Sequence, residues 1–123
     1  MRYRSTIYFF SLFLLGVFVS SGQKNKKVDS LQQLILHQQG IIKAKTLNEL
    51  AWELRKQKDS IPIHYALEAL EISTEHSYHL GISEALIRLG DIAKHQMLLS
   101  DAKIYYIKAV SYTHLTLPTI LLV

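Results

Sequence analysis

Six histidines and a column of glutamates are the places where this 123-residue chain could hold a metal or move a proton. His76 and His79 stand three apart, close enough to share a helix face, and His64 lies twelve positions upstream. Zinc takes three or four protein ligands. No carboxylate or further histidine stands at a spacing that would complete such a set, so these histidines are expected to be solvated side chains of a loop between helices. His95 reads as a helix-end residue. Glu68, Glu71 and Glu75 run down one helix at i, i+3 and i+7, and a charged stripe opposite an apolar face marks solvated surface. No Ser-His-Asp set, glycine-rich phosphate loop or DNA-reading helix is present. Cysteine is absent, which excludes disulfides, thiolate catalysis, Cys-ligated zinc and a lipid-bearing N-terminal cysteine. The expectation is a non-enzyme with no catalytic residue, no metal and no cofactor.

The elements that surround these residues are helical, and the chain has room for one domain. Residues 1–22 form a signal peptide in this reading. Arg2 and Arg4 give a positive start, Ile7 to Val19 is an uncharged apolar run, and Ser-Ser-Gly offers small residues for cleavage. The rival is an uncleaved anchor, for which the run falls short of the ~20 residues that cross a bilayer as a helix. An exported protein, on the extracytoplasmic or periplasmic side of a bacterial inner membrane, is expected. The formal net charge is +4, and without Arg2 and Arg4 the balance is 12 basic against 10 acidic residues. That bias is too weak to argue for nucleic acid or an anionic membrane surface. Residues 23–40 hold a polar entry segment and a short helix, with Asp29 or Ser30 as its N-cap, Leu31, Leu34 and Ile35 on one face, and Gly40 at its end.

The most informative stretch is Glu84 to Ala109. Leu86, Leu89, Gly90 and Ala93 mark one apolar helical stripe, and Ala102, Tyr106 and Ala109 mark a second at i, i+4 and i+7. Ser100 and Asp101 fall between them, where a turn and a helix N-cap are wanted. Gly90 inside a helix costs roughly 1 kcal/mol relative to alanine, which calls for a second helix backbone at close approach, with Ala102 and Ala109 as small partners. A Leu-Gly pair followed by Ala-x3-aromatic-x2-Ala resembles the tetratricopeptide repeat. Leu86 and Ala93 depart from it, standing where that repeat usually has Trp and Tyr.

An earlier copy supports the resemblance. Leu47, Leu50, Ala51 and Leu54 form a stripe in a helix from Ile41 to about Gln57, and Leu50-Ala51 hold the place there that Leu89-Gly90 hold in the later stripe. After a turn at Lys58 to Pro62, a second helix from Ile63 to Glu75 carries Tyr65 to Ala69, which aligns with Tyr105 to Ala109. Pro62 falls in the first helical turn, where its missing N–H does no harm. Helix pairs are thus expected over 41–76 and 77–109. Tetratricopeptide repeats are about 34 residues long. The excess here is assigned to an inter-helix segment, Ser73 to Gly81.

The resemblance implies an all-α solenoid of antiparallel helix pairs whose first helices line a concave groove. Leu50, Ala51, Ala69, Leu86, Leu89, Gly90, Ala102, Tyr106 and Ala109 would then be the packing signature. Asn48, Trp52, Arg55, Ile87, Asp91 and Lys94 would face a protein or peptide ligand. Trp52 would either serve as a platform for an extended peptide or pack against the N-terminal helix. The architecture resembles the N-terminal region of bacterial sensor histidine kinases, which implies an extracytoplasmic input region of a signalling protein. A membrane-anchored helix-turn-helix regulator and a free periplasmic scaffold without an output domain are the alternatives. The expected partners are a protein or peptide. No nucleic acid is expected, and a membrane only through the signal peptide or a transmembrane helix further along the parent chain.

Beyond Ala109 the pattern changes. Thr113, Thr116 and Pro118 are expected to interrupt the helix, and Val110 to Thr119 resembles the translation of a transposon-based sequencing adapter, with a back-translation that agrees codon for codon. Residues 110–123 are therefore expected to be a non-native tail. Sequencing the source locus across the Ala109 codon should show the genomic frame leaving this string at that point. Genomic codons for the whole of residues 110–123 would instead make them native.

Overall fold

The computed structural model describes residues 25–121, with side chains described as far as Leu115. The expected signal peptide, residues 1–22, lies outside the described residues. All regular structure among the described residues is helical: α1 (Lys26–Ile35), α2 (Gly40–Glu53), α3 (Ile61–Glu75), α4 (His79–His95) and α5 (Leu99–Leu121). Each helix packs on the next, and α2 also reaches α4. The result is a row of antiparallel helices with α1 at one end and α5 at the other.

α1 begins earlier than the capping residues suggested. Asn25 occupies its N-cap position without a side-chain cap bond, and Asp29 lies in the first turn, where its negative charge favours the exposed N–H groups. The buried face is Val28 and Leu31, with Ile35 half-buried, whereas Leu34 points outward. These residues pack against Leu50 and Leu54 of α2, and Lys27 bonds Glu53 at 2.8 Å and Glu49 at 3.2 Å. Gly40 does not end α1. It opens α2, with a left-handed φ of 65° that suits glycine.

The loop expected at Ser73 to Gly81 is mostly helix. α3 runs through Glu75 and α4 starts at His79, which leaves only His76 to Tyr78 as a link. The extra length of the repeat lies in the helices and in the α2–α3 link, Leu54 to Ser60, instead. α3 ends with the Tyr78 N–H bonded to the Ser73 carbonyl and the Ser77 N–H to Thr74, and α4 ends the same way, Leu98 to Ala93 and Met97 to Lys94. This pair of bonds at a helix end needs a left-handed residue. Ser77 (φ 51°) and Met97 (φ 63°) fill the role without being glycine.

At the start of α3, Pro62 lies within the first turn and Asp59 accepts the Ile61 N–H at 3.2 Å. At the start of α5, Ser100 and Asp101 are already inside the helix and the Ala102 N–H bonds the Leu98 carbonyl, so neither is the N-cap. The expected break in the helix at Thr113 does not occur. The Thr113 hydroxyl donates to the Ala109 carbonyl at 3.0 Å, one turn back, which satisfies it without leaving helical geometry. Extending an existing helix adds one bond per residue fixed, and α5 continues to Leu121.

The core is made where small residues meet large ones. Ala51, Ala66 and Ala109 pack with Ile82, Leu86, Leu89 and Ile92; Leu47 packs with Ala69 and Ala85. Gly90 sits beneath the ring of Tyr106, where a Cβ would lie 2.6 Å from Cε1 and 2.9 Å from Cδ1. The atoms nearest to a side chain at 90 would thus be those of the Tyr106 ring, and Ala102 and Ala109 are buried on the same helix as that ring. Gly90→Ala should lower stability by about 1–3 kcal/mol through this overlap, despite alanine's better helix propensity. In urea unfolding followed by circular dichroism, the loss should largely vanish when Tyr106 is also alanine. Equal losses in both backgrounds would refute the contact.

Candidate ligand-binding face

The end of α2, with the link that follows it, and the middle of α4 bring three of the six expected face residues, Trp52, Arg55 and Asp91, into one neighbourhood with a residue the sequence reading passed over, Arg88. Trp52 is 39% exposed and belongs to none of the three apolar clusters around the helix crossings. The guanidinium of Arg55 lies 3.6 Å from the centre of the Trp52 ring, and that of Arg88 lies 5.0 Å away. A guanidinium over an indole face is attracted to the ring's negative quadrupole. Arg55 is fixed by donating to the Trp52 carbonyl at 2.8 Å, and Arg88 by donating from Nε to the Asn48 carbonyl at 3.3 Å.

Asp91 anchors the other side of Arg88, with Oδ2 3.8 Å from Nη1. Its Oδ1 accepts the Tyr106 hydroxyl at 2.6 Å. The line Arg55–Trp52–Arg88–Asp91–Tyr106 therefore joins α2, α4 and α5 across one surface. The signal that could have pointed to Arg88 is its place one turn before Asp91 on α4.

Asn48 and Ile87 are drawn into packing instead. Asn48 is 2% exposed, and its Nδ2 donates to the Gly81 carbonyl at 3.3 Å. Its Oδ1 is buried without a protein partner. Ile87 is half-buried against the central apolar cluster. Lys94 is exposed at the far end of α4 and lines a groove of about 360 Å³ with Leu99, Ala102, Lys103, Tyr106, Ile107 and Val110. On α3, Ile63, Ala66 and Leu70 pack against the apolar cluster to which α4 contributes. At the aligned positions of α5, Lys103, Tyr106 and Val110 line an open groove.

The histidines are dispersed. His64 is exposed on α3, and His76 bonds the Ile72 carbonyl through Nδ1 at 2.9 Å. His79 is in α4, not in a loop, and stacks on Tyr112 with ring centres 6.0 Å apart. Glu68 pairs with Lys43 at 2.9 Å, whereas Glu71 and Glu75 are exposed. Among the described residues, no three His, Asp or Glu side chains converge as a metal site would require. Nor is any helix among them long and apolar enough to cross a membrane.

Compared with models of protein families, with curated proteins and with solved structures, the chain finds no match in any of the three.

Tyr106 reports on this face. Burial, then its hydrogen bond to Asp91, then the Asp91 charge push the phenol up to about 12 from its ordinary value of 10. Because the folded-state value is the higher one, the stabilisation is fully present below pH 10 and is lost as pH rises toward 12. Absorbance titration of phenolate formation should show a component near pH 12 that is lost in Tyr106→Phe, whereas Tyr78, which burial also pushes up, is unaffected. The same late titration in that variant would place it elsewhere.

Proposed function

We propose that this chain is a tetratricopeptide-type module that binds an extended peptide or protein segment, and that it forms the extracytoplasmic input region of a bacterial signalling protein of the sensor histidine kinase kind. The observation that carries the binding role is Trp52, half-open on the α2–α4 surface and flanked by the guanidinium groups of Arg55 and Arg88. An indole gives an apolar platform, and the guanidinium N–H groups left free on either side can meet backbone carbonyls or carboxylates of a bound strand. Supporting the repeat reading, the signature positions fall at helix contacts, with Leu50, Ala51, Ala69, Leu86, Leu89, Ala102 and Ala109 buried and Gly90 under Tyr106. The open α5 face, which repeats the covered α3 face, suits a further helix of the same kind. A periplasmic scaffold without an output domain uses the same surface and differs only in what the parent chain carries beyond Ala109.

The chain's single tryptophan makes the binding test direct. Full-length protein screened against an array of short peptides should yield ligands that change Trp52 emission. Trp52→Ala and Arg88→Ala should each weaken those ligands about tenfold or more, with helical circular dichroism retained, while Glu71→Ala should leave them unchanged. Ligands held equally by Trp52→Ala would remove this face from the binding surface.

A further inference from the structure

α3 and α5 hold corresponding places in the two helix pairs, yet one position on them differs in kind. On α3, Ile63, Ala66 and Leu70 pack against the apolar cluster to which α4 contributes Leu86 and Leu89. α4 rests on α2 as well as on α3. The corresponding place beyond the second pair is the groove of about 360 Å³ between the end of α4 and α5. Val110 is aligned there with Leu70, but Lys103 stands where the first pair has Ile63. An apolar contact has become a charge.

That charge lies within the apolar stripe, not beside it. Leu99, Lys103, Ile107 and Val110 fall at i, i+4, i+8 and i+11, one side of a helix. Leu99 is 60% exposed, Ile107 60% and Val110 56%. Lys94 stands on the α4 side of the same groove. Neither lysine meets a carboxylate of this chain: among the described residues the ion pairs involve Lys27, Lys43 and Arg88. Asp101 lines a separate crevice with Ile63 and Tyr105. Asp91 is held by Tyr106 and Arg88.

A helix with a wholly apolar stripe laid on this groove would strip water from the Lys103 ammonium and return nothing, which is costly. A carboxylate at that point compensates the charge and fixes the register of the helix on α5. A second copy does not supply it through the same face, because both stripes would then bring a lysine and neither an acid. We propose that the α5 groove takes, as the next helix of the row, an acidic amphipathic helix, with one carboxylate set into its apolar stripe against Lys103 and a second on the flank near Lys94. This rests on the reading of α5 as open to a further helix, and it specifies the chemistry of that helix. It is independent of the peptide face, since Trp52 and Arg88 take no part in it.

Full-length chain would be titrated into a fluorescein-labelled helical peptide of about five turns, with leucine at i, i+8 and i+11 and glutamate at i+4. Counterpart peptides carry lysine or leucine at that one position. By fluorescence anisotropy, the glutamate peptide should bind about tenfold more tightly than the lysine peptide. Lys103→Glu should reverse that order with helical circular dichroism unchanged. Lys108→Glu, which lies on the α3 side of α5 beside Leu70 and Ile82, and Trp52→Ala should both leave the preference as it is. Leucine and glutamate peptides held equally by the unaltered chain and by Lys103→Glu would overturn the proposal and leave the further helix standing. Binding of none of the three would remove both. Loss of the preference in Lys108→Glu would reduce it to general attraction, and its loss in Trp52→Ala would move the peptide to the α2–α4 face; either overturns the proposal. A dimer seen by sedimentation without peptide, and dispersed by Ile107→Glu, would make a second copy the occupant and overturn it too.

Discussion

The contact between Gly90 and Tyr106 sets how α4 and α5 meet, and much of the exposed chemistry follows from it. With no side chain at position 90, the Tyr106 ring comes close against α4. From there its hydroxyl reaches Asp91. Asp91 is a neighbour of Arg88, and Arg88 in turn leans over Trp52 on α2. A missing Cβ where α4 meets α5 is thereby connected to the posture of an arginine on the α2 side of the same helix. A larger residue at 90 would displace the ring, and the hydroxyl with it, so packing and surface geometry are not separable here.

Polar atoms also work across this crossing and across that of α2 with α4. Asn48 of α2 donates to the Gly81 carbonyl of α4, and Ser83 of α4 donates to the Ala109 carbonyl of α5 at 3.2 Å. Both acceptors are helical carbonyls, and that of Ala109 is shared with the Thr113 hydroxyl, which lies 2.8 Å from the Ser83 hydroxyl. A buried amide or hydroxyl is costly when it loses its partner, so sliding one helix past another by a turn would be resisted more strongly than apolar contacts alone would resist it. Gly81 has its own steric role. A Cβ there would collide with the Ser73 hydroxyl and the Tyr78 ring, which belong to the tight link between α3 and α4. Register and spacing are thus set twice, by small residues and by directional bonds.

Helix identity and the buried stripes were legible in the sequence because a helical period survives whatever the neighbours are. Leu47, Leu50, Ala51 and Leu54 were read together and are buried together. What depends on three-dimensional neighbours was less legible. Gly40 carries the same residue type whether it ends one helix or begins the next, and only its φ and its nearness to His76 distinguish the two. Asn48 and Trp52 sit four apart on one helix, and both were assigned to the ligand-facing groove. Asn48 is instead buried under α4, because α4 crosses α2 at that level. Thr113 looked like a helix breaker by propensity, yet a hydroxyl with a carbonyl one turn back is satisfied inside a helix. Arg88 lacked any motif of its own.

A row of helices separates surfaces that a globular domain would merge. Helices contact only the adjacent ones and, between α2 and α4, the next but one, so distant parts of the surface can be altered almost independently. Charge is divided in the same way, with Lys27 held by Glu49 and Glu53 between α1 and α2, and Lys43 by Glu68 between α2 and α3. Electrostatic attraction over a Debye length of about 8 Å is decided by the nearest charges, not by the total. For a row of helices the meaningful charge is therefore the local one, and it must be read after the antiparallel order of the helices is known.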